Sequence, residues 1–300
     1  MTVTAPLRTE GLTRFFGKRA AVQDLNLEVE EGDLYGFLGP NGAGKTTTLR
    51  LALDLVRPTS GRALLFGREV RANFKWAMRQ VGALIESPAF YPHLSVYRNL
   101  EVLARLSGRV DRIRLVSVLE RVGLGDRLND PARTLSQGMR QRLGIATALF
   151  DRPRLAILDE PVNGLDPQGI HDIRALILEL NRADGTTFVI SSHLLHEVEL
   201  ICNRVAIVRE GRLAAQEKTD ALLRRAPRTL RIVASPRDRA RTVLAGVADQ
   251  VRDESDGSIT AVLRGADTAA GLNAALVQAG IQVEEFSPRR ATLEDLFLAG

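Results

Sequence analysis

The octapeptide Gly39-Pro40-Asn41-Gly42-Ala43-Gly44-Lys45-Thr46 fits the spacing G-x-x-x-x-G-K-[ST]. It follows a short apolar run at 33–38 and leads into a helical pattern at 46–56. A strand that passes through glycines into a helix narrows the fold to an α/β domain whose sheet edge carries the loop. Glycines let the backbone approach a phosphate with no Cβ in the way, so successive N–H groups and the start of the helix can receive its oxygens. Lys45 adds a point charge at the β- and γ-phosphates, Thr46 offers a hydroxyl to Mg²⁺, and Thr47 stands beside it. The expected ligand is a nucleoside triphosphate with Mg²⁺. A glycine-rich turn with a merely exposed lysine is the bland alternative, and the complete motif weighs against it. The loop alone suits a kinase, a GTPase, a helicase or a transporter subunit equally.

Leu155-Ala156-Ile157-Leu158-Asp159-Glu160-Pro161 is an apolar strand ending in two acids. In a parallel sheet both acids stand at the carboxyl edge, near the phosphates. Asp159 is expected to hold Mg²⁺ through water, and Glu160 to polarise the attacking water. Two acids here would also suit a helix N-cap, a reading the upstream loop makes remote.

Around these motifs the chain alternates strands and helices, which implies a parallel sheet covered on both faces. Strands are expected at 21–30, 33–38, 62–66, 81–86, 155–158, 186–191, 204–209 and 212–216. Helices are expected at 46–56, at 73–79, over most of 95–125, and from Gln137, Pro167 and Leu194. Arg224-Arg225-Ala226-Pro227-Arg228 reads as a linker. Beyond it the order is strand, helix, two strands around Asp256-Gly257, helix, strand and a last helix, compatible with a small ferredoxin-like α+β unit that carries no catalytic constellation. The expected domains are therefore 1–225, with a helical subdomain over about 87–150, and 226–300.

With 300 residues, 45% of them hydrophobic, the chain can bury a large core. Its net charge of +5 comes from basic residues interleaved with acids, which argues against direct nucleic-acid binding. The single cysteine, Cys202, allows no intramolecular disulfide, and a cytosolic location fits. There is no apolar run of about 18 residues, so the chain is not expected to span a membrane itself. Coiled-coil heptads and fixed-period repeats are likewise missing from the sequence.

Leu135-Ser136-Gln137-Gly138-Met139, followed by the basic run Arg140-Gln141-Arg142, resembles the LSGGQ signature of ABC ATPases. With the order of the other motifs, the resemblance spans about residues 7–223. It implies an α/β P-loop ABC ATPase domain, in which a mixed sheet core carries an antiparallel β subdomain and a helical subdomain, followed by the small C-terminal α+β domain. It also implies that Phe16 stacks on adenine, that Ser136 and Gly138 contact ATP held by the opposite subunit, that Asp166 belongs to the loop linking the two sites, and that His193 is the switch histidine. Taken singly, Phe16 could be core, Asp166 before Pro167 an ordinary helix start, and His193 structural. The active unit implied is a homodimer in which each chain supplies half of each site.

Gln137 and Met139 depart from the usual signature, and Glu86 stands where the family has a sensor glutamine. Glu86 remains an oxygen ligand for Mg²⁺ or water, with an added negative charge, unless it is simply a loop acid. The segment Glu86-Ser87-Pro88-Ala89-Phe90-Tyr91-Pro92-His93-Leu94-Ser95 and the tail Arg290-Ala291-Thr292-Leu293-Glu294-Asp295-Leu296-Phe297-Leu298 are similar to those of bacterial drug, bacitracin and lantibiotic exporters. The resemblance implies an ATPase, peripheral on the inner face of the membrane, that drives a separate permease through the segment after Glu86. Phe90 and Tyr91 are candidate contacts, or else pack on the helical subdomain. The rival is a soluble ABC ATPase acting on ribosomes or DNA, disfavoured by the single motif set.

Overall fold

The computed structural model describes residues 4–86, 88–108, 110–225, 228–264, 268–289 and 292–299. Ser87, the linker residues Ala226 and Pro227, and Arg290 and Ala291 of the tail lie outside the described residues, as do the side chains of Phe297 and Leu298. The chain divides into two compact units, Met1–Thr219 and Asp220–Gly300. The division falls a few residues before the expected linker because a helix, Thr219–Arg224, occupies that stretch. Thr219 itself is tied to the first unit, its hydroxyl donating to the Cys202 carbonyl at 2.6 Å.

A six-stranded sheet forms the centre of the first unit. Its order is Arg212–Lys218, Arg204–Arg209, Leu34–Leu38, Thr187–Ser192, Leu155–Asp159 and Val81–Leu84, and every pairing is parallel except that of the first two. Leu34–Leu38 and Leu155–Asp159 are buried at every position and paired on both sides, which is why their sequences are continuous apolar runs. A second, antiparallel sheet runs in the order Arg19–Leu25, Leu7–Phe16, Ser60–Leu65 and Arg68–Glu69, with Glu28–Val29 also paired to Leu7–Phe16. It shares one core with the helix Lys45–Ala52, built from residues such as Leu12, Val22, Leu49 and Leu65.

The strand Leu7–Phe16 is not evident in the sequence. Gly11 takes a left-handed φ of 57°, and the register shifts between Glu10 and Thr13, so its side chains do not alternate cleanly. The expected strand at 21–30 is broken in two. The largely helical stretch at 95–125 resolves into Val96–Leu106 and Arg112–Arg121, capped by Ser95 and Asp111.

In the second unit, four strands pair antiparallel in the order Gln250–Asp253, Ile259–Val262, Thr229–Ser235, Gln282–Arg289. Helices Arg237–Val247 and Ala269–Gln278 pack Leu244, Leu272 and Leu276 against Leu230, Ile232 and Ile259. This is the split β-α-β arrangement.

Candidate active site

Helix Lys45–Ala52 begins at Gly44, whose φ of 100° admits only glycine without strain, and no side chain caps its first N–H groups. A Cβ on Gly44 would stand 2.4 Å from the Ala21 carbonyl oxygen, and one on Gly39 2.5 Å from that of Val208. Both glycines are thus required by close backbone packing. The uncapped N–H groups face a cleft of ≈ 400 Å³ lined by Phe16, Arg19, Ala21, the loop residues Pro40, Asn41, Gly42, Gly44, Lys45, Thr46 and Thr47, and Glu160. Gly39 and Ala43 are buried beneath it. A helix start with free donors, a buried cation and a Cβ-free cradle fits a polyphosphate.

Lys45 is buried, its ammonium donating to the Gly39 carbonyl at 2.8 Å and the Pro40 carbonyl at 3.4 Å and lying 3.3 Å from Glu160 Oε1. The other Glu160 oxygen, Oε2, lies 2.9 Å from His193 Nδ1. Glu160 has a left-handed φ of 49°, a strained conformation that the Ser191 hydroxyl helps hold by accepting the Glu160 N–H at 3.0 Å. Asp159 is buried at the strand end. It accepts from the Thr46 hydroxyl at 2.8 Å on Oδ2 and from the Ser191 hydroxyl on Oδ1.

Thr46, Asp159 and Glu160 also line a second cavity of ≈ 470 Å³ with Glu86, Pro88, Gln137, Arg140, Gln141 and Asn163. The Thr46–Asp159 pair supplies hard oxygen donors of the kind Mg²⁺ takes. Among the described residues, no group of three or more His, Cys, Asp or Glu side chains could hold a metal ion. A hydroxyl and one carboxylate fit an ion that keeps most of its shell from phosphate and water. Glu86 reaches the wall of this cavity with a left-handed φ of 63°, but its Oε1 pairs with Arg50 Nη2 at 2.5 Å.

Phe16 is half-exposed at the mouth of the first cleft, with the Arg14 guanidinium 4.6 Å from its ring centroid. That placement sets aside its reading as core. Ser136, Gly138 and Asp166 line neither cavity. Ser136 caps the helix Gln137–Leu149 by accepting from the Met139 N–H at 3.3 Å, and Asp166 caps Pro167–Asp184 by accepting from Gly169 at 2.8 Å. Gln137 does more than replace a glycine. Its amide nitrogen occupies the space beside Gly164, where a Cβ would meet it at 2.2 Å.

A model of the ABC transporter family matches residues 22–163. The bacitracin transport ATP-binding protein of Bacillus licheniformis is 39% identical over 97% of this chain and 96% of its own length. The chain belongs to the ABC transporter ATP-binding proteins. The lantibiotic transport ATP-binding protein of Streptococcus pyogenes is 39% identical, covering 71% of this chain and 91% of that one. Among solved structures, an ATP-binding cassette described as a dimer in a post-hydrolysis state with ADP and Pi matches at 25% identity and a TM-score of 0.65, over 71% of this chain and 98% of that one. This ABC ATPase is therefore an ATP-binding and ATP-hydrolysing subunit of a transporter, and no helix among its described residues is long and apolar enough to cross a membrane.

Sequence reasoning passed over three residues of this ABC ATPase. Ser191 follows an apolar strand and looks like its polar end, yet it touches both acids. Arg50 lies on the outer turn of a helix, where a cation is normally only solvated. Asn99, buried inside an amphipathic pattern, donates to the carbonyls of Tyr91, Leu94 and Ser95 and accepts the Tyr91 N–H at 2.8 Å, fixing the loop that follows Pro88. No motif would have revealed any of the three.

Proposed function

We propose that two copies of this chain bind Mg²⁺ and ATP head to tail and drive export of a drug, antibiotic or lipid-like compound through a separate membrane permease. The observation that carries the catalytic part is the position of Glu160, whose carboxylate lies between Lys45 Nζ at 3.3 Å and His193 Nδ1 at 2.9 Å beside the uncapped helix start. Glu160 accepts the proton of the attacking water, His193 orients that carboxylate, and Lys45 with the N–H groups of residues 42–46 binds the phosphates. Thr46 and Asp159 hold Mg²⁺, which supplies positive charge to the phosphate oxygens. Phe16 offers its ring to the adenine.

Pairing of two copies is supported by Ser136 and Gly138, which stand apart from both cavities and would complete a site only on a partner, and by the dimeric state described for the similar cassette. Contact with the permease is supported by Tyr91, 59% exposed on a loop that Asn99 makes rigid. Tyr91 and the half-buried Phe90 are the residues assigned to it, on the inner face of the membrane. The named transport roles of the bacitracin and lantibiotic relatives support export and the class of compound.

Replacing Glu160 by Gln is expected to lower phosphate release by about two orders of magnitude or more, with ATP binding kept. An unchanged rate would remove Glu160 from the mechanism. Co-purification with ribosomes rather than with a membrane protein would overturn the transport assignment.

A further inference from the structure

Three acids, Asp159, Glu160 and Glu86, border the cavity that also holds the Thr46 hydroxyl. An ATP molecule brings about four more negative charges, so an acid at Glu86 opposes nucleotide entry unless something offsets it. Asp159 is occupied by the hydroxyls of Thr46 and Ser191, and Glu160 by Lys45 and His193. Glu86 is occupied by Arg50, which belongs to the helix following the phosphate loop and does not itself line the cavity. The guanidinium thus draws the Glu86 carboxylate from outside the metal site. The left-handed backbone at Glu86 marks a residue held by its surroundings rather than by its own preference.

We propose that Arg50 is a positioning residue. By pairing with Glu86 it keeps that carboxylate off the metal, and so sets how tightly the site holds a divalent cation. The inference rests on the ATPase reading given above, in which Thr46 and Asp159 bind the metal. Both side chains are partly exposed, so the pair shifts the position of Glu86 by about two- to fivefold rather than absolutely. A glutamine at residue 86 would need no such partner, because it carries no charge for Arg50 to restrain.

The test is Mn²⁺ binding to the full chain with a non-hydrolysable ATP analogue, read by electron paramagnetic resonance. Five proteins are compared: wild type, Arg50→Met, Arg50→Lys, Glu86→Gln and the double variant Arg50→Met with Glu86→Gln. Arg50→Met is expected to bind Mn²⁺ about threefold more tightly than wild type, because the released carboxylate turns to the metal. The same substitution in the Glu86→Gln background is expected to produce a clearly smaller shift, and Arg50→Lys to behave as wild type. Equal shifts in both backgrounds, or no shift in either, would overturn the role of Arg50. Thermal melting of each variant identifies any loss of fold, and Arg50→Lys, which keeps the charge, then decides. If wild type binds no Mn²⁺ with the analogue, the ATPase reading itself fails. If it does bind and the cycle shows no coupling, only the inference about Arg50 fails.

Discussion

The phosphate cleft of the first unit and the four-stranded sheet of the second are both rich in charge, but they use it in opposite ways. In the second unit the charges close on one another. Arg231 pairs with Glu285 and Asp256, Arg289 with Glu254, and Arg237 and Arg241 with Asp253. The Ser258 hydroxyl and amide, together with Arg231, hold the Asp256 carboxyl below the usual range. In the first unit the charges converge on open space, and the backbone is strained to hold them there. Every non-glycine residue with a left-handed φ among the described residues lies in the first unit, and two of them, Glu86 and Glu160, border the second cavity. Strain together with convergence on a cavity marks working chemistry, whereas pairing alone marks a solvated face.

Removing the Ser191 hydroxyl is the sharpest way to break this contrast. Ser191→Ala deprives Asp159 of a donor and the Glu160 N–H of an acceptor, so the hydrolysis rate should fall by about tenfold while ATP binding changes little. Phosphate release and nucleotide titration check it, and an unaltered rate would mean that the Ser191 carbonyl, which also accepts the Glu160 N–H at 3.2 Å, holds the backbone without the hydroxyl.

A smaller effect is expected at the far end of the same sheet. Burial pushes the Asp33 carboxyl up from 3.8 to about 6, against the Asn203 hydrogen bond. Because the folded value lies above the unfolded one, the stabilising contribution is full below about pH 3.8 and is lost as pH rises through about 6. Denaturation midpoints between these values should show this fall, and Asp33→Asn should flatten it. The smallest effect is expected in the second unit. Arg231→Met leaves its ion partners in solvent and should not change the ATPase rate measurably. A lowered rate there would end the distinction between the two regions.

Much of this was legible in the sequence because backbone requirements write themselves as residue types. Gly39 and Gly44 are glycine for lack of room, and the buried strands read as apolar runs. Leu7–Phe16 was not legible, since a bulge destroys the alternation that reveals a strand. The partners of the acids were hidden for a different reason. Ser191 and Arg50 act through contacts between segments distant in sequence, and Asn99 through bonds to the nearby loop carbonyls of Tyr91, Leu94 and Ser95; a serine, an arginine or an asparagine carries no mark in the sequence of such a contact.

Lys45 has three N–H donors and three partners: two loop carbonyls and Glu160. An arriving phosphate therefore finds no idle cation and competes with contacts already made. The affinity of the loop for ATP is accordingly a difference between the phosphate and the partners that Lys45 already holds. In the mechanism proposed for Glu160, an exchange at Lys45 that seats the nucleotide would also free that carboxylate.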